Sequence, residues 1–304
     1  MGSEQTVMTP KNSANTRLNF GIVLPNWIVG NDTEQLVEFA IASEEAGWDG
    51  VFLADHLMFP HGDYEGPENM DFHDPWITMA GIATQTSDIR MGSWITPIPR
   101  RQPWQVARDL ATLDQLSDGR ILLGTGLGVI PTNYAPFGRS DDPVTLGKRY
   151  DEALDVISGL WSGEPFSYDG DHFSIDDAVL LPTPAQEPRI PIVAGGIWPN
   201  KKPIQRGARW DGIVPHWEGD GAVPGDATVV PEEVLRDLIT YYNKHNEEPG
   251  EIMLPIDPPG KSPNYLEVCQ QLGATWMYSR DLREPEYVSN PTLALDRIRE
   301  GPPT

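Results

Sequence analysis

Two adjacent residues carry the first chemical signal. Asp55 and His56 follow the apolar or small run 50–54, which reads as a strand buried on both faces. They stand where such a strand emerges at its C-terminal end, the edge on which α/β folds place chemistry. An imidazole titrates at about 6.5, so His56 can serve as acid, base or electrostatic partner near neutral pH. Asp55 can orient that ring or accept bonds from a neighbouring loop. Alternation along a strand turns the two side chains to opposite sides.

The second signal is the stretch from Ala194 to Pro203. Gly195 and Gly196 let a ligand approach the backbone, and a helix is predicted to begin near 200–203. The free N–H groups of that helix start and the charges of Lys201 and Lys202 suit a phosphate. The plain alternative is a glycine turn followed by a solvated basic helix. Other strand ends deliver Trp27, Ser93, Trp94, Gly126, Trp198, His216, Trp217, Ser279 and Arg280. Aromatic rings with a few polar groups suit a planar, largely apolar ligand. Trp48, Trp76, Trp104, Trp161 and Trp210 are expected to cover the helices instead.

The elements that must position these residues alternate along the chain. Strands are predicted over 19–25, 50–56, 90–97, 121–128, 190–196, 212–217, 251–258 and 274–280. Asp32 can cap the first helix, and Gly47 closes it. The pairs Asp74-Pro75, Gln102-Pro103, Asp142-Pro143, Val230-Pro231, Ser262-Pro263 and Asn290-Pro291 open later helices, proline being suited to the first helical position. Between the fourth and fifth strands lies extra chain. Aromatic alternation on either side of Asp169-Gly170 marks a hairpin there. Eight βα units with one insertion read as a (β/α)8 TIM barrel with an insertion between strands 4 and 5. An open doubly wound sheet is disfavoured, because no Gly-x-Gly-x-x-Gly turn follows the first strand.

Composition sets the outer bounds. The 304 residues suit one barrel domain over 18–304, preceded by a polar, flexible tail over 1–17. A hydrophobic content of 39% supplies a large core, and no apolar run approaches the roughly 20 residues of a membrane span. The single cysteine, Cys269, excludes an internal disulfide, which with the absence of a signal-peptide pattern favours the cytoplasm. A net charge of −23 argues against nucleic acid and anionic membranes as partners.

Several motifs in fixed order carry a family resemblance. They are Glu45-Ala-Gly-Trp-Asp-Gly-Val-Phe-Leu-Ala-Asp-His56, Asp74-Pro-Trp76, and Ala111-Thr-Leu-Asp-Gln-Leu-Ser-Asp-Gly-Arg-Ile-Leu-Leu-Gly-Thr-Gly126. Further along come Leu160-Trp-Ser-Gly-Glu164, Tyr168-Asp-Gly-Asp-His-Phe173, Ile190-Pro-Ile-Val-Ala-Gly-Gly196 and Ala208-Arg-Trp-Asp-Gly212. Over about 18–217 the chain resembles the bacterial luciferase-like superfamily of flavin- and deazaflavin-dependent barrel enzymes. The resemblance implies an oxidoreductase or monooxygenase with F420 or FMN over the strand ends, F420 slightly favoured, a small-molecule substrate and a homodimer. His56 matches the histidine that faces the reacting carbon in F420-dependent members and is the catalytic candidate. Asp55, Ser93, Trp94, Gly126, Gly195, Gly196, Lys201 and Lys202 are the cofactor-binding candidates; Trp27, Trp198, His216 and Trp217 are assigned to the substrate pocket. The resemblance also implies a non-proline cis bond near the end of strand three, with Ser93-Trp94 as its counterpart. Val129 and Pro60 stand where sugar-phosphate dehydrogenases of the family carry Glu and Trp, which points to an uncharged or apolar substrate.

Two other classes fit parts of the pattern. A metal-dependent barrel hydrolase would draw ligands from Asp55, His56, His61, His73, Asp74 and His216, but their spacing is not compact. A flavin-binding protein without turnover would use the same cup.

Overall fold

A computed structural model describes residues 17–27, 33–57, 72–128, 133–217, 230–256 and 264–303. Its strands are β1 (Asn19–Leu24), β2 (Gly50–Leu53), β3 (Arg90–Ser93), β4 (Thr96–Pro97), β5 (Ile121–Gly126), β6 (Phe166–Asp169), β7 (Ser174–Ala178), β8 (Ile192–Trp198), β9 (Gly212–Trp217), β10 (Glu251–Pro255) and β11 (Trp276–Ser279). The helices are α1 (Thr33–Glu45), α2 (Pro75–Ala83), α3 (Pro103–Leu116), α4 (Pro143–Leu160), α5 (Lys201–Arg209), α6 (Glu232–His245), α7 (Tyr265–Gln271), α8 (Pro285–Val288) and α9 (Pro291–Arg299).

The main sheet runs β3-β2-β1-β11-β10-β9-β8-β5-β4, and pairing of β3 with β5 closes it. Every pairing in that ring is parallel. The two-residue β4 continues the path of β3 after a break, matching Thr96 to Thr125 and Pro97 to Gly126. Counting β3 and β4 together gives eight staves, the (β/α)8 barrel that the sequence predicts. The insertion also lies where expected, as the antiparallel hairpin β6–β7 after α4. Glu152 of α4 fixes its tip by accepting the backbone N–H groups of Asp171, His172 and Phe173.

Local chemistry explains the helix starts. Asp74 accepts the N–H groups of Trp76 and Ile77, Asp142 that of Thr145, and Asn290 that of Leu293. Gln102 makes no such side-chain bond, so Pro103 alone marks the start of α3. At Val230-Pro231 the proline is itself the cap and α6 begins at Glu232, one residue later than predicted. Asp32, Ser262 and Pro263 lie outside the described residues. Several strands are shorter than predicted: β2 stops at Leu53 and β10 at Pro255, whereas β8 runs on to Trp198.

The barrel interior is filled. Val23, Phe52, Leu122, Val193, Val214, Met253 and Trp276 point inward from successive strands. Phe52 meets Trp276 edge-on at 5.8 Å, and above them Trp94 lies 4.0 Å from Tyr278. The barrel is therefore a cup with an aromatic floor, not a pore.

Candidate functional site

The alternation of β2 decides which way its end residues face. Phe52 and Ala54 belong to the interior cluster, and His56 follows with the same parity. Its ring meets Phe72 at 5.9 Å, edge-on, and Phe72 packs on that same cluster. Burial pushes the imidazole down to about 4; the Asp55 charge pulls it part of the way back, and the Arg100 charge adds a smaller push downward. At neutral pH His56 is an uncharged ring at the rim of the cup. Asn26 holds this strand end in place. Its amide accepts the N–H of Ala54 and donates to the carbonyls of Ala54, at 2.8 Å, and His73, at 3.0 Å. The sequence reading did not single out Asn26, although a buried amide directly after an apolar strand is a signal that could have found it.

Asp55 points the other way, as alternation requires, and this corrects its place among the cofactor-binding candidates. Its carboxylate is buried and accepts from Arg100, and from Arg101 Nε at 3.0 Å and Nη2 at 2.9 Å. Arg101 also reaches Asp74, the cap of α2, while Arg100 donates to Asn133. One buried carboxylate thus joins β2, the start of α2, the turn before α3 and the segment after β5.

Ser93 and the glycines are likewise spoken for by the chain's own packing. Ser93 donates to the carbonyl of Gly124 at 2.7 Å, tying β3 to β5 with no donor left for a ligand. The non-proline cis bond lies between Trp94 and Ile95, one residue beyond the expected Ser93-Trp94. Ser93 is still in register with Leu53 in the ladder, and the strand breaks only after it. Past the break, the Ile95 side chain wedges against β5 and β8. A Cβ on Gly126 or Gly195 would collide with Ile95 Cδ1, and one on Gly196 with Pro203 of α5. The glycines at 126, 195 and 196 are thus explained without a ligand. Trp94 does enter the interior cluster, and its indole N–H is buried with no acceptor among the described residues.

The β8–α5 turn departs most from the sequence reading. Val193 and Val214 face inward, so Trp198 and Trp217, at odd steps from them, face outward into the layer under α5 and α6. Both leave the substrate pocket for that reason. Trp198 packs on Tyr241 of α6 at 5.7 Å. The Lys201 ammonium sits 3.4 Å from the centre of the Trp198 ring and 4.3 Å from that of Tyr241. It is a cation held between two aromatic faces, not a charge waiting over the cup. Lys202 is exposed at the first turn of α5.

The far wall of the cup does collect the remaining candidates. Trp27 joins the interior cluster. His216 has the inward parity of Val214, and burial and then Arg280 push it down to about 4. Burial raises Tyr278 to about 12, with the Arg280 charge pulling against the shift. Tyr278 and Ile95 are cup residues that the sequence analysis did not name, and Arg280, named there at a strand end, is given no role. Tyr278 was visible as an inward position of the last strand.

Among the described residues no three His, Cys, Asp or Glu side chains converge to hold a metal. Asp55 and Asp74 are engaged by arginines, which removes two ligands from the hydrolase reading. His61, Pro60 and Val129 lie outside the described residues.

The model of the luciferase-like monooxygenase family matches residues 17–222. The chain belongs to that family. It is similar to an F420-dependent hydroxymycolic acid dehydrogenase of Mycobacterium tuberculosis, at 38% identity over 165 residues, or 54% of this chain and 44% of that protein. The chain thus spans about half the length of the curated relatives it matches. Its fold is similar to that of the coenzyme F420-dependent tetrahydromethanopterin reductase of Methanopyrus kandleri, with a TM-score of 0.66, 15% identity, and coverage of 91% of this chain and 97% of that one. It is also similar to the oxygenating constituent of 3,6-diketocamphane monooxygenase from Pseudomonas putida, solved with FMN, with a TM-score of 0.68, 14% identity, and coverage of 93% and 96%. No helix among the described residues is long and apolar enough to cross a membrane.

Proposed function

We propose that the chain is an oxidoreductase that binds F420, in preference to FMN, in the cup and acts on a small, uncharged or apolar organic substrate. The observation that carries this is His56: a neutral imidazole at the rim of an aromatic cup, in a chain similar to an F420-dependent dehydrogenase. The residues fit such a group. The indole N–H of Trp94, which has no acceptor among the described residues, offers a donor to a planar ligand, and the Trp94 ring, packed on the buried Phe52 and Tyr278 rings, gives it an apolar bed. When bound, the cofactor supplies a ring that accepts or donates a hydride.

The roles of the chain's own residues follow from their charge states. His56 is neutral at pH 7, so its ring presents one acceptor nitrogen and one N–H. The acceptor can take the proton of a substrate hydroxyl as that hydroxyl is oxidised. His216, also neutral, offers a hydrogen bond across the cup, and Arg280 beside it holds positive charge near the substrate's oxygen. Trp27 excludes water from the rim. A homodimer in the cytoplasm, with a single domain over 18–304, completes the reading.

Spectral titration with F420 and with FMN tests the binding. Saturable binding of F420 at micromolar concentration, tighter than FMN, is expected; failure of both to bind refutes the proposal. His56→Asn keeps the size and one hydrogen-bonding edge but removes the titratable ring. It is expected to leave F420 affinity and the melting temperature near wild type and to lower turnover about 100- to 10,000-fold. Retained turnover with a collapsed melting temperature would make His56 a structural residue.

A further inference from the structure

We propose that the outside of the barrel carries a second ligand site, for a small oxyanion of the phosphate or carboxylate type, in the pocket between α2 and α3. The pocket has a volume of about 240 Å³, room for a small ion and its water. Its wall reverses the character of the protein. Acidic residues outnumber basic ones 45 to 22 in the whole chain, yet Arg100, Arg101 and Arg139 line this pocket against a single acid, Asp109. That acid is engaged by Arg108 at 3.1 Å.

Donors on the wall exceed the acceptors that could satisfy them. Arg139 lines the pocket, is exposed, and forms no ion pair among the described residues. Arg101 spends Nε and Nη2 on Asp55 and Asp74, leaving Nη1 on a side chain that is one-quarter exposed. Gln102 and Gln105 add amides. Trp76 lines the same wall, is buried, and has an indole N–H with no acceptor among the described residues. Forked guanidiniums, amides and an indole N–H, with one occupied acid among them, select a compact group rich in acceptor oxygens. Since Arg100 and Arg101 are already partly neutralised by Asp55 and Asp74, Arg139, which has no ion-pair partner among the described residues, supplies the charge that decides affinity.

The site is independent of what the cup binds, and its test uses the purified full chain without cofactor. Calorimetric titration with inorganic phosphate and, separately, with citrate is run at constant ionic strength on the wild type, Arg139→Ala, Gln105→Ala and Arg236→Ala. Arg236→Ala removes one positive charge from α6, where its partner is Glu232 and not a residue of the pocket wall, and melting temperatures verify that each variant folds. One saturable site with a dissociation constant of about 1 mM or tighter is expected for at least one probe. The preference between the probes names phosphate or carboxylate as its ligand. Arg139→Ala is expected to weaken binding about tenfold, and Gln105→Ala several-fold, while Arg236→Ala leaves it unchanged. No saturable binding of either probe overturns the proposal. So does an equal loss in Arg236→Ala, which would reduce the effect to general charge, or unaltered binding in Arg139→Ala.

Discussion

Replacing Asp55 by Asn separates a residue that holds the barrel together from one that holds a ligand. The substitution keeps the shape and removes the charge. Asp55 is the acceptor of three charge-assisted bonds, one from Arg100 and two from Arg101. The Arg100 side chain is only 8% exposed, so without the carboxylate it becomes a buried cation facing a neutral amide. Breaking a buried pair by removing one partner costs about 3–5 kcal/mol. Arg101 is better solvated and keeps Asp74, which places the cost near the lower end, about 3 kcal/mol. In a protein of 304 residues that lowers the melting temperature by about 5 °C. Thermal unfolding followed by circular dichroism reads it directly. Asp55→Asn combined with Arg100→Gln is expected to recover roughly half of the loss, since the stranded charge is then gone. An unchanged melting temperature with cofactor affinity abolished would refute the reasoning and make Asp55 a ligand contact, as its position in the sequence first suggests.

Two further outcomes follow from charges at the site. His56 and His216 are both pushed down to about 4, whereas the unfolded chain protonates them at about 6.5. The unfolded state thus binds more protons between those values, so stability is complete above about pH 6.5 and falls as pH drops toward 4. Both rings are partly exposed at the cup, which limits each contribution to about 1–2 kcal/mol. Urea midpoints at pH 7.5 and 4.5 measure the slope, and His56→Asn with His216→Asn is expected to flatten it; a steeper or unaltered slope contradicts the assignment. Lys201→Ala empties the space between Trp198 and Tyr241 and is expected to cost about 1 kcal/mol of stability with cofactor affinity retained, while Lys202→Ala changes neither. Loss of affinity without loss of stability in Lys201→Ala would restore the phosphate role.

The barrel was legible because each unit declares itself locally. Apolar runs such as 121–126 alternate with helices opened by Asp74, Asp142 and Asn290, and the Asp169-Gly170 turn gives the insertion away. The inward path of His56, Trp94 and His216 follows from strand alternation. What stayed hidden depends on partners remote in the chain. Nothing near Asp55 announces arginines 45 and 46 residues away. Gly126 and Gly195 read as room for a ligand because the side chain that fills them, Ile95, comes from the break between β3 and β4, remote in the chain. Trp198 and Trp217 fall at strand ends, where position alone suggests the cup; only the register of Val193 and Val214 turns them outward.

Ile95 gives the cup one adjustable dimension. It lies where the sheet closes on itself, with β3 pairing to β5 below it and β4 pairing to β5 above, and its terminal methyl occupies hollows left by Gly126 and Gly195. Any bulkier residue at either glycine demands a shorter one at 95, so these positions can drift only in concert. The trade also runs the other way. Shortening residue 95 while the glycines stay small deepens the cup by roughly the volume of the methylenes removed, without moving a strand. A lineage or a designer can therefore change how large a molecule the barrel accommodates through one aliphatic side chain, leaving His56 and the Asp55 ion network as they are.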